Sequence, residues 1–158
     1  MDDISFMRRA LEEARRAFSR GDVPVGAVVV SSAGEVLGTG ANRKTDDPTA
    51  HAEVQAIRAA AVRGHWNLSG CGLYVTLEPC PMCAGACVNA RVSRVVFGAR
   101  DSRAGAGGSL YNILRDSRLN HRCEVREGVL AEEAERLLRG YFLERRGRPG
   151  RRGRGASE

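Results

Sequence analysis

His51-Ala52-Glu53 and, 27 residues after the glutamate, Cys80 within Pro79-Cys80-Pro81-Met82-Cys83 are the residues of this chain best suited to chemistry. One imidazole and two thiols make three zinc ligands. An ion held by three side chains keeps its fourth tetrahedral position for water, whereas structural sites close it with a fourth ligand. The C-x-x-C spacing sets the sulfurs about one helical turn apart, so they can converge on one ion. A helix N-terminus and a bound metal both favour thiolate, the form that zinc binds. Glu53 lies two residues from His51 and does not share the i, i+4 spacing of paired metal ligands on one helical face. Its carboxylate is instead suited to moving the protons of a water. The pattern predicts a catalytic centre with one Zn2+ per subunit.

Blander readings attach to the same residues. The two cysteines could be a redox pair, His51 an isolated core histidine and Glu53 an ion-pair partner. Cys87, four residues beyond Cys83, could close a four-ligand structural site. Its sulfur would sit a further turn down the helix, which favours its reading as a small buried hydrophobe. Cys71 and Cys123 have no partner spacing and read as packing residues, His65 beside Trp66 as surface or interface structure. Glu78, next to Pro79, reads as a turn residue and not as a second base.

Positioning these groups requires a sheet and helices. Ile4, Met7, Leu11, Ala14 and Phe18 mark one face of a first helix, which Gly21 ends. Val23 to Val30 reads as a buried strand, turned by residues 31–34 into a hairpin partner over 35–40. Residues 42–50 are polar and turn-prone. Thr49 is the expected cap of a helix running from His51 to Arg63. A strand is expected at 72–77, a helix at 80–90 and a strand at 94–98. Residues 101–120 are Gly-rich and irregular, with a short helical piece near 109–114; long loops of this kind are usually functional. A strand at 122–126 and a helix carrying Leu130, Ala134, Leu137, Leu138 and Tyr141 complete the order α-β-β-α-β-α-β-β-α. That order predicts an α/β fold, a three-layer α/β/α sandwich around a mixed five-stranded sheet.

Composition bounds the rest. A chain of 158 residues, 42% of them hydrophobic, suits one domain with a real core. The expected division is a catalytic domain over 1–144 and an Arg/Gly-rich tail over 145–158, too polar to pack. The net charge of +6 falls to +1 without that tail, so the basic excess lives there, where it can attract phosphate without regard to sequence. No secretory signal and no apolar run of about 20 residues is visible, which makes a cytoplasmic protein the economical reading.

The spacing His-x-Glu…Pro-Cys-x-x-Cys is that of the zinc nucleobase deaminases. Residues 22–27, 42–53, 76–85, 94–101, 105–109 and 120–122 resemble the bacterial tRNA-specific adenosine deaminases, within the zinc-dependent cytidine and deoxycytidylate deaminase superfamily. The likeness spans roughly residues 3–146. It implies a cytidine deaminase-like fold, His51, Cys80 and Cys83 as zinc ligands, and Glu53 as the catalytic proton shuttle. The implied reaction converts adenosine to inosine at the wobble position of a tRNA anticodon, on an arginine tRNA, the base being splayed out of its loop. Asn42, Asp101 and Asn120 would line the pocket or touch the flipped nucleotide and its neighbours. Each could instead organise its loop through side-chain to backbone bonds. His121 and Arg122 would reach phosphate, and Tyr141 and Phe142 would pack against bases. Leu143 departs from the family, which tends to carry a basic residue there. The implied partners are the anticodon arm of tRNA and a second copy of the chain in a homodimer, with no membrane and no organic cofactor. Two alternatives stand beside this reading: a deaminase of a free base or nucleoside, of guanine or cytosine type, and a non-catalytic zinc-stabilised RNA-binding module.

Overall fold

Strands rich in Val, Leu and Ala with no polar alternation need cover on both faces, because neighbouring side chains point to opposite sides of the sheet. A computed structural model describes residues 2–146 and provides that cover. The elements are α1 (Asp3–Ser19), β1 (Gly26–Val30), β2 (Val36–Ala41), α2 (Ala52–Val62), β3 (Gly72–Leu77), α3 (Pro81–Asn89), β4 (Arg94–Ala99), β5 (Glu124–Arg126) and α4 (Ala131–Arg146). The sheet order is β2-β1-β3-β4-β5. β1 is antiparallel to β2 and β3, whereas β3–β4 and β4–β5 are parallel. The expected element order and the mixed five-stranded sheet are both present.

Alternation along the strands divides the core. Ala27, Val29, Leu73, Val75, Val95 and Phe97 pack with Ala52, Ala56 and Ala60 of α2 and with Ala84, Cys87 and Val88 of α3. On the other face Val28, Tyr74 and Val96 meet Phe6, Met7 and Ala10 of α1. Leu11, Ala99 and Ala134 join α1, β4 and α4 on that side. α2 and α3, the helices that carry the candidate ligands, thus share one layer.

The buried face of α1 is Phe6, Met7, Ala10, Leu11, Ala14 and Ala17. Ile4, placed on that face by the sequence pattern, is exposed. Polar contacts fix the start of the helix. Asp2 accepts the Ser5 N–H at 2.9 Å. Asp3 accepts two bonds from Arg94, at 2.7 and 2.8 Å, and others from Tyr74 and Arg126. One carboxylate thereby ties α1 to β3, β4 and β5, and these donors hold its pKa well below the usual range, Arg94 foremost.

Further local expectations differ from the structure, among them the start of β1, which lies at Gly26 and not at Val23. Thr49 does not cap α2: its hydroxyl and N–H both donate to Asp47, and His51 is the N-cap residue. Residues 109–114 form no helix; Gly107 bridges Asn112 and the loop closes on itself. β5 starts at Glu124, two residues late, because Cys123 donates its N–H to Leu114 outside the sheet. Of the expected Arg/Gly-rich tail, residues 147–158 lie outside the described residues. Among those described, no helix is long and apolar enough to cross a membrane.

Close approach of α2 to β2 needs glycine at position 40, where a Cβ would stand 2.2 Å from the Ala52 carbonyl oxygen and 2.6 Å from the Ala56 nitrogen. Gly40→Ala must push the first turn of α2, and with it His51, off the sheet. The expected outcome is a loss of about 1–3 kcal/mol of stability, read from the urea midpoint, together with a reduced zinc content after dialysis. An unchanged midpoint would refute this account of the contact.

Candidate active site

The segment between β2 and α2 is built to present His51. Asn42, buried at the end of β2, accepts the Ala52 N–H with its side-chain oxygen at 2.8 Å. This bond satisfies one of the donors that a helix N-terminus leaves unpaired. The Arg20 guanidinium donates to the Asn42 carbonyl at 2.9 Å. Asp22 accepts from the Val23 N–H and from both the N–H and the hydroxyl of Thr45. His51 itself makes no capping bond, so its imidazole is free for other work. Cys80 occupies the matching place on α3: it is the N-cap, Pro81 follows in the first turn, and its side chain makes no capping bond. Two helix N-termini therefore deliver their cap residues to one point.

His51 Nδ1 lies 3.5 Å from Cys80 Sγ and 3.4 Å from Cys83 Sγ. The three donor atoms all fall within 4.8 Å of one another. Tetrahedral zinc, with bonds of about 2.0–2.1 Å to nitrogen and about 2.3 Å to sulfur, would hold such atoms roughly 3.5 Å apart. The donor chemistry and the separations both fit zinc. Among the described residues the group comprises these three side chains, and Glu53 and Cys87 are not in it. Cys87 is fully buried in the core beneath α3, where burial raises its pKa well above the ordinary thiol value. It is a packing residue.

The protons of the cluster are distributed unevenly. A hydrogen bond from Cys83, followed by the His51 imidazole, brings Cys80 down to about 4. Cys83 is raised instead, since it donates to Cys80 and is itself buried. His51 is raised by its bond to Cys80. Cys80 is thus held as thiolate, the form that zinc binds. Glu53 is 3% exposed, and burial pushes its carboxyl up to about 7. A carboxyl with that pKa both releases and accepts a proton near neutral pH.

The family model for the cytidine and deoxycytidylate deaminase zinc-binding region matches residues 1–99. The chain belongs to this family. It is 48% identical over 147 residues to the tRNA-specific adenosine deaminase of Bacillus subtilis, covering 91% of each chain. With the enzyme of the same name from Haemophilus influenzae it shares 47% identity over 91% of this chain and 85% of that one. A solved structure from work on A-to-I editing by tRNA:A34 deaminases superposes with a TM-score of 0.80 at 42% identity, over 85% of this chain and 99% of the other. A guanine deaminase from Nitrosomonas europaea gives a TM-score of 0.75 at 28% identity, over 89% and 84%. The chain is therefore a zinc-binding deaminase with the cytidine deaminase-like fold.

In this deaminase the other expected site residues fall into two groups. Asn42, Asp101 and Tyr141 have structural partners. Asn42 caps α2 as described; Asp101 accepts the N–H groups of Arg103 and Ala104. Tyr141 is buried edge-on between Phe18 and Phe142, and Arg145 lies over its ring. Asn120, His121 and Arg122 form a partly exposed run beside the start of β5. Arg91 donates to the Asn120 carbonyl and His121 Nε2 donates to the Val92 carbonyl, while Arg122 is exposed. Phe142 and Leu143 are exposed, so the aromatic surface at the end of α4 is carried by Phe142. The residues that sequence reasoning undervalued are Arg20, Asp22 and Glu78. The last is a buried carboxylate that gathers the loop after β4. A signal for it existed: a charge between an apolar strand and a ligand-bearing helix needs donors, and Gly-rich loops offer bare N–H groups.

Cys80→Ala and Cys83→Ala are expected to purify with less than a tenth of a zinc equivalent (~0.1), since two ligands hold the ion poorly. Cys87→Ala is expected to retain one full equivalent and to lose stability only. Metal analysis of the three proteins checks this; zinc loss in the Cys87 variant would make that thiol a ligand.

Proposed function

We propose that this deaminase hydrolyses adenosine to inosine at the wobble position of a tRNA anticodon, an arginine tRNA being the first candidate. The observation that carries the reading is the convergence of His51, Cys80 and Cys83 beside the buried carboxyl of Glu53. It occurs in a chain similar over nine-tenths of its length to enzymes named for tRNA adenosine deamination. In this reading the three donors hold one zinc ion, which supplies the Lewis acidity that makes water a nucleophile near neutral pH.

The chain's own residues do the remainder. Glu53 takes a proton from the attacking water as oxygen bonds to C6 of the purine. It delivers that proton to N1, then carries the proton of the new C6 hydroxyl to the departing amine as the C6–N bond breaks, so that adenosine and water become inosine and ammonia. Its buried position supports the role, because a carboxyl desolvated to about 7 alternates between base and acid with little cost at either step. The reacting carbon must be out of the base stack, and an anticodon loop, already single-stranded, asks least for that extrusion. Asn120, His121, Arg122 and Phe142 are available to an RNA loop: cations and amides for phosphate and base edges, the ring for stacking. Asn42 and Asp101 combine organising their loops with facing the nucleotide. The homodimer and the cytoplasmic location belong to the same reading.

The similarity to a guanine deaminase favours a second reading, turnover of a free base, on weaker identity. Purified protein given an anticodon stem-loop, free nucleosides and free bases separates the two by ammonia release. Release from the stem-loop supports the tRNA assignment, and release from the small compounds alone overturns it. Glu53→Gln is expected to keep its zinc and its affinity for the stem-loop while losing roughly 100-fold to 10,000-fold in rate. Full activity in that variant would remove Glu53 from the mechanism. In cells, depletion of the protein is expected to abolish wobble inosine in total tRNA, scored by sequencing the modified position.

A further inference from the structure

Glu78 is the last residue before the Pro79-Cys80 step, and it is buried to 2% exposure with a charge-bearing side chain. Such a group is tolerated only where donors surround it. Every donor it finds comes from one loop. Oε1 accepts the Asp101 N–H at 3.0 Å, and Oε2 accepts the N–H groups of Gly107 and Ser109, each at 3.0 Å. The Ser109 hydroxyl donates to Oε1 as well. Beside these bonds the Ala106 N–H donates to the Pro79 carbonyl at 2.8 Å, one residue from Cys80. Gly105 is required for the approach, since a Cβ there would lie 2.4 Å from the Glu78 carboxyl carbon. Two cations lie along the loop: Arg100 donates to the Ser109 hydroxyl at 3.1 Å and pairs with Glu127 at 3.8 Å, and Arg103 is exposed.

We propose that Glu78 is a positioning residue for the RNA substrate: its carboxylate pins the 101–109 loop to the strand end that carries Cys80, so that the loop forms one fixed wall beside the metal group. The inference rests on the tRNA reading above and deepens it. Glu78 touches neither the reacting atoms nor the ion; it acts through the loop. The physical reason is that a loop of glycines and small residues has no core of its own. Its conformational entropy would otherwise be lost on each encounter with RNA. A buried anion that collects four donors removes that entropy in advance.

The test is Glu78→Gln, which keeps size and burial but turns an N–H donor toward the backbone N–H groups of the loop. Hydrogen exchange by mass spectrometry on the full-length zinc protein is the first measurement. The 101–109 segment is expected to exchange at least about tenfold faster than in the parent, with the α2 and β3 segments unchanged. Unchanged exchange in 101–109 would overturn the proposal whatever the enzyme acts on. The second measurement is steady-state turnover of the anticodon stem-loop. KM is expected to rise by about tenfold or more while kcat stays within about threefold and zinc remains at one equivalent. A fall in kcat at constant KM, or loss of zinc, would mean a merely structural or metal-supporting role and would sink the idea. If Glu78→Gln does not fold, Ser109→Ala deletes one donor and leaves the anion with three. It is expected to shift exchange and KM in the same directions by a smaller factor, and parental values for both would refute the assignment. Failure of the parent protein to turn over the stem-loop would count against the tRNA reading, and the exchange result would still decide the role of Glu78.

Discussion

Two helices that begin at the same point govern this molecule. A helix N-terminus carries partial positive charge and unpaired N–H groups, so bringing two together is unfavourable unless something negative or electron-rich sits between them. The cap residues His51 and Cys80, with Cys83 one turn into α3, meet that need with one nitrogen and two sulfurs. Hydrogen bonds from the Cys83 thiol, from the His51 imidazole and from the Cys83 N–H in the first turn of α3 keep Cys80 ionised. Thiolates in turn select a soft or borderline cation. Ligand chemistry and helix placement are here one problem with one solution.

That solution depends on relieving the cap residues of capping. Ser, Thr, Asp or Asn at an N-cap would normally spend its side chain on the first-turn amides. His51 does not, because Asn42 reaches across from the end of β2 and takes the Ala52 N–H. Arg20 and Asp22, at the far end of α1, hold that segment in place. On the other side Glu78 gathers the loop after β4 against the approach to Cys80. Polar residues buried around the centre thus act at one remove. They bond backbone and leave the donor atoms uncommitted. Alternation in β1, β3 and β4 supplies the rigid platform beneath, with small residues along α2 letting it lie close to the sheet.

Asn42 is an organising residue in this structure. Its side-chain oxygen is committed to α2 and its carbonyl to Arg20, and both commitments fix where its amide group points. Asp101 is similar, accepting the Arg103 and Ala104 N–H groups in its own turn while its N–H donates to Glu78. Tyr141 is buried, as its place on the apolar face of α4 requires, with Phe18 and Arg145 packed against its ring. The exposed partner, Phe142, is left at the surface.

The donor set, the order of the elements and the mixed sheet were legible in the residues alone, since they follow from ligand type, spacing and hydrophobic period, which are local properties. What lay beyond the chain's linear pattern was every bond between segments distant in sequence. Thr49 looked like the cap of α2 because it is nearby, but the cap came from Asn42, ten positions earlier. Residues 109–114 looked helical by composition, yet their neighbours answer to Glu78, some thirty positions away. The rotation of α1 that exposes Ile4 was likewise set by what the helix packs against. Only tertiary structure decides such matters, because a hydrogen bond or a contact is chosen by proximity in space, and spacing along the chain carries that information only within a turn or a hairpin.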